Sequence, residues 1–460
     1  MHPQVAIHQQ SIQSRESFWM RAASAIHWHK FPSAAYGPPS SGSITSDSGQ
    51  GDFLDRDGKC WFPDGELNTC FNALDRHVYR PPTAFSPPLT PSPLTPHLAP
   101  DAAAASRIAF HHVSPLSFQT RPHRAITYGE ALETVQTLAG VLRSLGIGKG
   151  DLVVIYMPML PETAMAMLAC TRLGAAHSVV FGGFASKELA KRIQDSRCKL
   201  LISASCGLEP KGPLDYKPLV DGALQVSTHK PNAGLLWLRR DGITGHTAAR
   251  VAGEGKKAAH SLPEWDWHGE MDLVRRGVGG RSKCWECVPV ASHAPVYTLY
   301  TSGTTGAPKG VVRSTGGHAV GTLYSIAHAF GLRSDDVILT ASDLGWVVGH
   351  FASLYGPLFR GATTVIFEGK PVLPDAGILW RVVSEFKVTQ LFTAPTALRA
   401  VRGQDPNAEL MQGQNVDLKS LRTLFLAGER SEPSLVATYA KLMKDLAAPG
   451  AVVVDNFWSS

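Results

Sequence analysis

The sequence predicts an α/β fold in which parallel or mixed sheets are flanked by helices. From residue 124 onward, short apolar segments of strand length alternate with longer segments that carry apolar residues at helical spacing. The strand segments, such as residues 152–156, are nearly continuous aliphatic runs, which is typical of strands buried on both faces. Repetition of strand, helix and strand in this order indicates a parallel sheet covered by helices.

The part of the chain before residue 124 is less regular. Residues 14–28 place apolar side chains at helical spacing and predict a short amphipathic helix. A proline-dense stretch at 81–100 predicts an extended, exposed segment. We therefore predict a structured N-terminal segment at 14–78, a proline-rich linker or extended segment at 79–123 and a core at 124–460.

Within the core, Thr127 and Glu130 form a capping-box pair at the start of a helix. Residues 239–285 interrupt the regular pattern with Gly, Lys and Arg, and they predict a surface insertion. The strands predicted after the capping box are 152–156, 178–181, 199–204, 296–300, 337–340, 363–367, 390–393, 422–427 and 452–455. The helices predicted between them are 161–174, 186–193, 351–359, 378–386 and 433–446.

Composition restricts the class of protein. The chain has 460 residues, 44% hydrophobic and 18% charged, with a net charge of +6, which is typical of a globular protein. This mild positive charge suits an anionic substrate and does not require nucleic acid. No apolar run approaches the roughly 18 residues of a membrane span, so none is expected.

Cysteine and histidine usage predicts the compartment and argues against a metal centre. The seven cysteines are an odd number scattered along the chain, which favours free thiols in a reducing, intracellular compartment. The N-terminus lacks a secretory signal pattern, and mitochondrial and cytoplasmic locations both stay open. Cys284 and Cys287 lack a second pair at zinc spacing, so we predict no metal site there. The His111–His112 pair is predicted to lie at the surface.

A ten-residue loop follows the predicted strand at 296–300. Its sequence, TSGTTGAPKG, combines three glycines, four hydroxyl side chains and Lys309. Glycines allow close backbone approach to a ligand, and successive backbone N–H groups can bind an anion. The loop is not a Walker A motif, because Pro308 stands where that motif has glycine. The combination predicts a site for a polyphosphate.

This loop resembles the phosphate loop of adenylate-forming enzymes. The segments WFPDGELNTCFNALDRHV, SVVFGGFASKELAKRI, SDLGWVVGH, APTALRA and DNFWSS resemble short-chain acyl-CoA synthetases, in the order of that family. Propionyl-CoA synthetases are the nearest in pattern, followed by acetyl-CoA synthetases. The resemblance implies the large N-terminal domain of such an enzyme, and ATP-dependent ligation of propionate or acetate to coenzyme A through an acyl-adenylate. ATP, Mg²⁺ and coenzyme A are the implied cofactors.

The resemblance also implies roles for individual residues. Those at the triphosphate, with a catalytic role, are Thr301, Ser302, Thr304, Thr305 and Lys309. Those beside the adenylate are Gly428, Glu429, Arg430, Asp455, Asn456, Phe457, Trp458, Ser459 and Ser460. Those at coenzyme A are Gly182, Gly183, Glu209, Pro210, Lys211 and Gly212. The residues of the acyl pocket are Val347, Val348 and Trp458.

The sequence departs from the family pattern at its end. The family continues with a glutamate at Mg²⁺, ribose-binding residues and a small domain that carries the adenylation lysine. We therefore expect the 460-residue chain to be inactive or impaired, as a short protein or a truncated gene model. Two alternatives stay open: a catalytically dead nucleotide- or CoA-binding fragment, and an adenylating enzyme with a carrier-protein acceptor. Acetate versus propionate and the oligomeric state also stay open.

Replacing Trp458 tests the acyl-pocket assignment. The indole would block the pocket floor, so Trp458→Gly is expected to shift the preferred carboxylate from two or three carbons toward longer chains. Each added methylene is worth about 1–3 kcal/mol in an apolar pocket, or about tenfold or more in relative rate. Carboxylate-dependent pyrophosphate exchange with acetate, propionate and butyrate, run on a C-terminally completed chain, measures this. An unchanged order of preference would reject the assignment.

Overall fold

Two seven-stranded sheets form the centre of the molecule. The computed structural model describes residues 3–39, 54–79, 101–114, 123–240, 243, 261–301 and 308–457. Helices pack on both sheets, and most strand residues are buried. The predicted α/β class is therefore confirmed. The proline-dense stretch at 81–100 lies outside the described residues.

The strands of the described residues are numbered in chain order. In the first half they are β1 Tyr36–Gly37, β2 Cys60–Trp61, β3 Glu66–Leu67, β4 Ile108–Val113, β5 Arg124–Thr127, β6 Leu152–Met157, β7 Ala176–Phe181, β8 Leu200–Ala204, β9 Cys206–Glu209, β10 Gly212–Asp215 and β11 Leu235–Leu238. In the second half they are β12 Glu264–Asp266, β13 Val290–Ala291, β14 Pro295–Thr301, β15 Lys309–Ser314, β16 Val337–Thr340, β17 Thr363–Phe367, β18 Gln390–Thr393, β19 Thr423–Leu426 and β20 Val452–Asp455.

The helices alternate with these strands. The α-helices are Pro3–Gln13, Arg15–Ala23, Arg76–Val78, Ala102–Ala105, Tyr128–Ser144, Pro161–Arg172, Ser186–Ser196, Lys217–Val226, Trp267–Arg275, Thr315–Tyr324, Gly356–Arg360, Ile378–Phe386, Pro395–Gln404 and Pro433–Leu446. Short π-helical segments are Phe71–Asp75, Ser325–Ala329 and Gly349–Tyr355, and a 3-10 turn is Val278–Gly280. Among the helices described, none is long and apolar enough to cross a membrane.

Each large sheet is parallel except for one edge strand. The first sheet has the order β12-β11-β8-β6-β7-β14-β15, and only the β14–β15 pair is antiparallel. The second sheet has the order β20-β19-β18-β16-β17-β4-β5, and only the β4–β5 pair is antiparallel. In parallel sheets the carboxyl ends of all strands lie along one edge, so each sheet has one edge suited to ligand binding.

Most predicted elements are confirmed, and the differences have physical reasons. The strands at 337–340, 363–367, 390–393 and 452–455 have the predicted bounds, and the Thr127–Glu130 capping box forms. Helix Pro3–Gln13 was not expected, because its residues are mostly polar and show no apolar stripe. The glycine-rich loop is shorter than predicted, because Thr301 and Lys309 pair across the β14–β15 ladder.

The second half of the predicted surface insertion at 239–285 belongs to the fold. β12 adds to the edge of the first sheet beside β11, and helix Trp267–Arg275 buries Trp267, Met271 and Val274. β12 has only three residues, with the sequence EWD, so no alternation of apolar side chains marks it. This part of the surface prediction was wrong, and most of residues 241–260 lie outside the described residues.

A buried ion pair fastens the N-terminal segment to the core. Arg172 donates through two nitrogens to Asp75, at 2.9 and 3.0 Å, and its side chain is fully buried. Arg172 also donates to the carbonyl oxygens of Cys284 and Trp285. Asn68 donates to the carbonyl oxygens of Thr171 and Val288. Residues 68–75 are therefore held against the end of helix Pro161–Arg172 and against the segment 284–288, which precedes β13.

A cluster of neutral histidines and tyrosines packs beneath the first sheet. His177 of β7 shares a 2.6 Å hydrogen bond with the hydroxyl of Tyr355, which lies in the segment after β16. His318 and His350 lie in the same cluster, each within 5.0 Å of the ring of Tyr297. Burial lowers the pKa of His318 to about 3 and that of His350 to about 4, and it lowers the pKa of His177 well below 6.5.

These histidines predict loss of stability in mild acid. A histidine with a depressed folded-state pKa contributes stability above its unfolded pKa of about 6.5, and that contribution is lost as pH falls toward the folded value, by about 1.4 kcal/mol per pH unit for each group. We expect the free energy of unfolding, measured in urea, to fall steeply between pH 6.5 and 5. His350→Gln is expected to reduce the slope, whereas exposed His29→Gln is not. A flat profile over this range would contradict the prediction.

Candidate functional site

The predicted loop leaves the carboxyl edge of the first sheet. Tyr297 of β14 pairs with His177 of β7 in parallel register, so Thr301 is level with Phe181, four residues further along each strand. Thr301 is half-buried and Lys309 is exposed. The hairpin therefore presents the Lys309 ammonium group to solvent at this edge. Ser302, Thr304 and Thr305 lie outside the described residues.

Two other predicted segments meet at the carboxyl edge of the second sheet. Gly428 follows β19 in a turn with φ of +106°, a conformation that favours glycine. Ser431 donates a 2.8 Å hydrogen bond from its hydroxyl to Asp455, and the backbone N–H of Asn456 donates to the carbonyl oxygen of Leu426. The turn after β19 and the end of β20 are thus fastened side by side.

The remaining predicted residues in this region are more exposed. Glu429 is hydrogen-bonded to Arg399, and Arg430 is exposed. Phe457 is 97% exposed, so its ring packs against no described part of the chain. Trp458, Ser459 and Ser460 lie outside the described residues. The structure therefore brings together the start of this predicted set and leaves its last members without a described position.

The carboxyl edges of the two sheets face each other. Gly345, in the loop after β16, lies so close to Phe181 that an added Cβ would be 2.9 Å from the Phe181 backbone nitrogen. Trp346 is 44% exposed and has its ring centroid 6.2 Å from that of Phe181 and 6.3 Å from that of Phe184. The loop after β16 and the turn after β7 therefore form one continuous surface.

Tyr216 packs between the turn after β7 and the β9–β10 hairpin, the two segments predicted to contact coenzyme A. A Cβ at Gly182 would be 2.2 Å from the Tyr216 hydroxyl oxygen, and one at Gly207 would be 2.4 Å from it. The β9–β10 hairpin carries Glu209, Pro210, Lys211 and Gly212 at its tip, where Pro210 and Lys211 are exposed. Gly183 is also exposed. The turn after β7 and this hairpin are thus neighbours, although about 25 residues separate them in the chain.

Of the predicted acyl-pocket residues, Val347 and Val348 lie in the segment that follows β16, and Trp458 lies outside the described residues. Val347 and Val348 are half-buried at the start of the π-helical segment Gly349–Tyr355, and they pack against the main hydrophobic core. Asp343, four residues before Val347, accepts a 2.7 Å hydrogen bond from the backbone N–H of Gly345. Burial raises the pKa of the Asp343 carboxyl to about 6. A carboxylate and a large aromatic ring therefore adjoin the predicted pocket.

Sequence reasoning missed several residues of this region. Asp343 and Trp346 belong to the segment SDLGWVVGH, so the same resemblance could have identified them as residues of the site. Tyr216 belongs to no sequence motif, and only its packing against Gly182 and Gly207 shows that it lies at the predicted coenzyme A segments. The prediction that His111 and His112 lie at the surface was wrong for His112, which is 7% exposed on β4, because a parallel strand is covered on both faces.

A possible metal-binding group lies away from these loops. Among the described residues, Cys70, Asp75 and Cys287 have ligand atoms within 4.8 Å of one another. Both carboxylate oxygens of Asp75 are already bonded to Arg172, whose positive charge opposes a cation there. Within the part of the chain described, the carboxyl edges provide no comparable group for Mg²⁺.

Comparison with known families shows which family the chain belongs to. The model of the family described as "AMP-binding enzyme" matches residues 100–459, which is most of the chain. The chain belongs to this family. The model described as "Acetyl-coenzyme A synthetase N-terminus" matches residues 5–73.

Individual relatives are similar along almost the whole chain. "Acyl-CoA synthetase short-chain family member 3, mitochondrial" of Bos taurus is 41% identical over 98% of this chain and 56% of its own length. "Acetyl-coenzyme A synthetase" of Streptomyces coelicolor is 36% identical over 98% of this chain and 59% of its own length. The chain thus spans little more than half of these relatives.

A solved structure shares the fold. "Acetoacetyl-CoA Synthetase from Streptomyces lividans" superposes with a TM-score of 0.76 over 99% of this chain and 59% of that chain, at 20% sequence identity. The arrangement of two sheets is therefore one that an experimentally determined protein also has.

The packing around Tyr216 predicts the result of a double substitution. Gly182→Ala alone should displace the Tyr216 ring, because the new Cβ would lie 2.2 Å from its hydroxyl oxygen. We expect a loss of about 1–3 kcal/mol in the free energy of unfolding. Tyr216→Phe removes that oxygen and leaves the nearest ring carbon at 3.1 Å, so it should restore most of the stability in the double variant. Urea unfolding of the three variants measures this, and additive losses would contradict it.

Proposed function

We propose that this chain supplies the substrate-binding domain of an ATP-dependent ligase that joins a short-chain carboxylate, propionate or acetate, to coenzyme A. The observation that supports the proposal is that the turn after β7, the loop after β16 and the β9–β10 hairpin adjoin one another where two carboxyl edges face each other. β14 leads into the glycine-rich loop from the first of these edges, and the turn after β19 follows from the second. Ligands of open α/β sheets bind at such edges. The names of the relatives, which are acyl-CoA synthetases, support this choice of reaction.

In this proposal the first step is the attack of the carboxylate on the α-phosphorus of ATP. The bond from that phosphorus to the bridging oxygen of the β-phosphate breaks, and acyl-adenylate and pyrophosphate form. Both reactants are anions that repel each other, so cations and N–H donors must hold them together. Lys309 and the backbone of the loop from Thr301 would hold the triphosphate, with Ser302, Thr304 and Thr305 as hydroxyl donors. Asp455 and Gly428 would adjoin the adenylate.

The second step transfers the acyl group. The thiol of coenzyme A attacks the acyl carbon, and AMP leaves. Gly182, Gly183 and residues 209–212 would contact coenzyme A, and Val347, Val348 and Trp458 would enclose the acyl chain. Mg²⁺, when bound, would reduce repulsion among the phosphate oxygens. Among the described residues at these edges, no three or more carboxylate, histidine or cysteine ligand atoms lie close enough together to share one ion, so we assign Mg²⁺ no protein ligands.

Binding of ATP and of coenzyme A is the property that tests this proposal on the 460-residue chain. The chain spans 56% of the bovine relative, and we propose that it binds ATP and coenzyme A. The relative is named as mitochondrial, which favours a mitochondrial over a cytoplasmic location for this protein. A carrier-protein acceptor instead of coenzyme A would appear as ATP binding without coenzyme A binding.

Lys309 provides the direct test. Lys309→Ala is expected to weaken ATP binding about tenfold to a hundredfold, because a hydrogen bond to a charged group contributes about 1.5–3 kcal/mol. Isothermal titration of the 460-residue chain with ATP measures the dissociation constant. Binding of coenzyme A should change far less, because its predicted site lies on other loops.

Lys419→Ala is the matched control. Lys419 is exposed just before β19, at the amino edge of the second sheet, and its replacement removes the same charge. Its effect on ATP binding should stay within about twofold, as expected for a distant, screened charge. Equal losses in the two variants, or ATP binding unaffected by Lys309→Ala, would refute the nucleotide site.

A further inference from the structure

We propose that Arg240 and Glu368 act as positioning residues for coenzyme A, although neither belongs to the segments assigned to it. This inference rests on the proposed coenzyme A site. Arg240 follows β11 of the first sheet, and Glu368 follows β17 of the second. Together they are called the inter-sheet clamp, since they join the two carboxyl edges.

The clamp has the geometry of a strong, directed ion pair. The two terminal nitrogens of Arg240 donate to the two carboxylate oxygens of Glu368, at 2.7 and 2.8 Å. The side chains are only 10% and 4% exposed, respectively. Parallel hydrogen bonds of this kind fix the relative orientation of the two groups as well as their distance. The pair therefore sets the separation of the two edges at this point.

Arg240 also holds the base of the β9–β10 hairpin, directly at its first residue and through Ser205 at its end. Its guanidinium group donates a 3.0 Å hydrogen bond to the carbonyl oxygen of Cys206, where the hairpin begins. Its backbone N–H donates to the hydroxyl of Ser205, at 3.0 Å. The carbonyl oxygen of Ser205 in turn accepts from the backbone N–H of Tyr216, just after the hairpin ends. One residue thus ties the base of the hairpin to the second sheet.

The buried Glu368 carboxylate depends on Arg240 for a compensating positive charge. Burial raises the pKa of the Glu368 carboxyl, and the charge of Arg240 opposes this rise. His112 is 3.9 Å from Glu368, but burial lowers its pKa to about 4, so at neutral pH it supplies no compensating charge. Without Arg240 the carboxylate would be buried with no cation bonded to it, which is a costly arrangement.

A second ion pair lies at the tip of the hairpin and cannot replace the clamp. Lys370 is 3.3 Å from Glu209, which is itself a predicted coenzyme A residue. Both side chains are more than a third exposed, so this pair contributes little to holding the hairpin. Glu209 to Gly212 therefore depend for their orientation on the buried contacts at the base. Loosening the clamp should lower affinity for coenzyme A while leaving the nucleotide loop intact.

The experiment compares Arg240→Met, Arg240→Lys and Glu368→Gln in the 460-residue chain. Titration with coenzyme A is expected to show at least about fivefold weaker binding for Arg240→Met and Glu368→Gln. Arg240→Lys should show an intermediate loss, because lysine keeps the positive charge but cannot donate the two parallel hydrogen bonds of the guanidinium group. ATP binding should stay within about twofold, as expected if the sites are energetically separate. Hydrogen exchange of the amides in residues 206–215 should accelerate in the same order.

Arg381→Met is the matched control. Arg381, in helix Ile378–Phe386, makes a two-nitrogen pair with Asp375 at 2.9 and 3.0 Å, and none of these hydrogen bonds involves the hairpin. It should leave coenzyme A affinity and hairpin exchange unchanged. Should Arg240→Met fail to fold, Glu368→Gln, which keeps the shape of the side chain, carries the test.

The outcomes separate this inference from the proposed function. Coenzyme A affinity or hairpin exchange that is unchanged in the clamp variants overturns the inference and leaves the coenzyme A site standing. Equal losses of ATP and coenzyme A affinity also overturn it, because they indicate general damage. Absence of coenzyme A binding by the unaltered chain overturns the site itself and, with it, the inference.

Discussion

The contact between the carboxyl edges of two mostly parallel sheets is the constraint on which the other features depend. Parallel strands send their following loops to one edge, so residues far apart in the chain meet there. The close approach of Gly345 to Phe181 and the buried pair of Arg240 and Glu368 keep the two edges in contact. A single sheet could present the glycine-rich loop, but not also the turn after β19.

Buried polar contacts explain why the layers of the molecule pack in one specific way. The histidine and tyrosine cluster between β7 and the segment Gly349–Tyr355 is polar, and its groups stay neutral inside the protein. Arg172 and Asp75 fasten the N-terminal segment to helix Pro161–Arg172 by a buried pair, and removing either partner would leave the other as an uncompensated buried charge. Directed polar contacts, in addition to apolar packing, therefore define how the layers fit.

Much of the fold could be predicted, because local patterns decide it. Runs of aliphatic residues indicated β6 and β16, and the Thr127–Glu130 pair indicated the start of a helix. β12 escaped prediction because a three-residue edge strand has no period. Of the site, the motif segments were found through resemblance. Arg240 and Glu368 could not be, since 128 residues separate them and neither lies in a recognised pattern.

A crystal structure of the chain with a non-hydrolysable ATP analogue and coenzyme A tests the central claim most directly. The account predicts the triphosphate against Lys309, the adenylate portion beside Gly428 and Asp455, and coenzyme A along the β9–β10 hairpin, all between the two carboxyl edges. Nucleotide bound at an amino edge, or a triphosphate with no contact to residues 301–309, would contradict it.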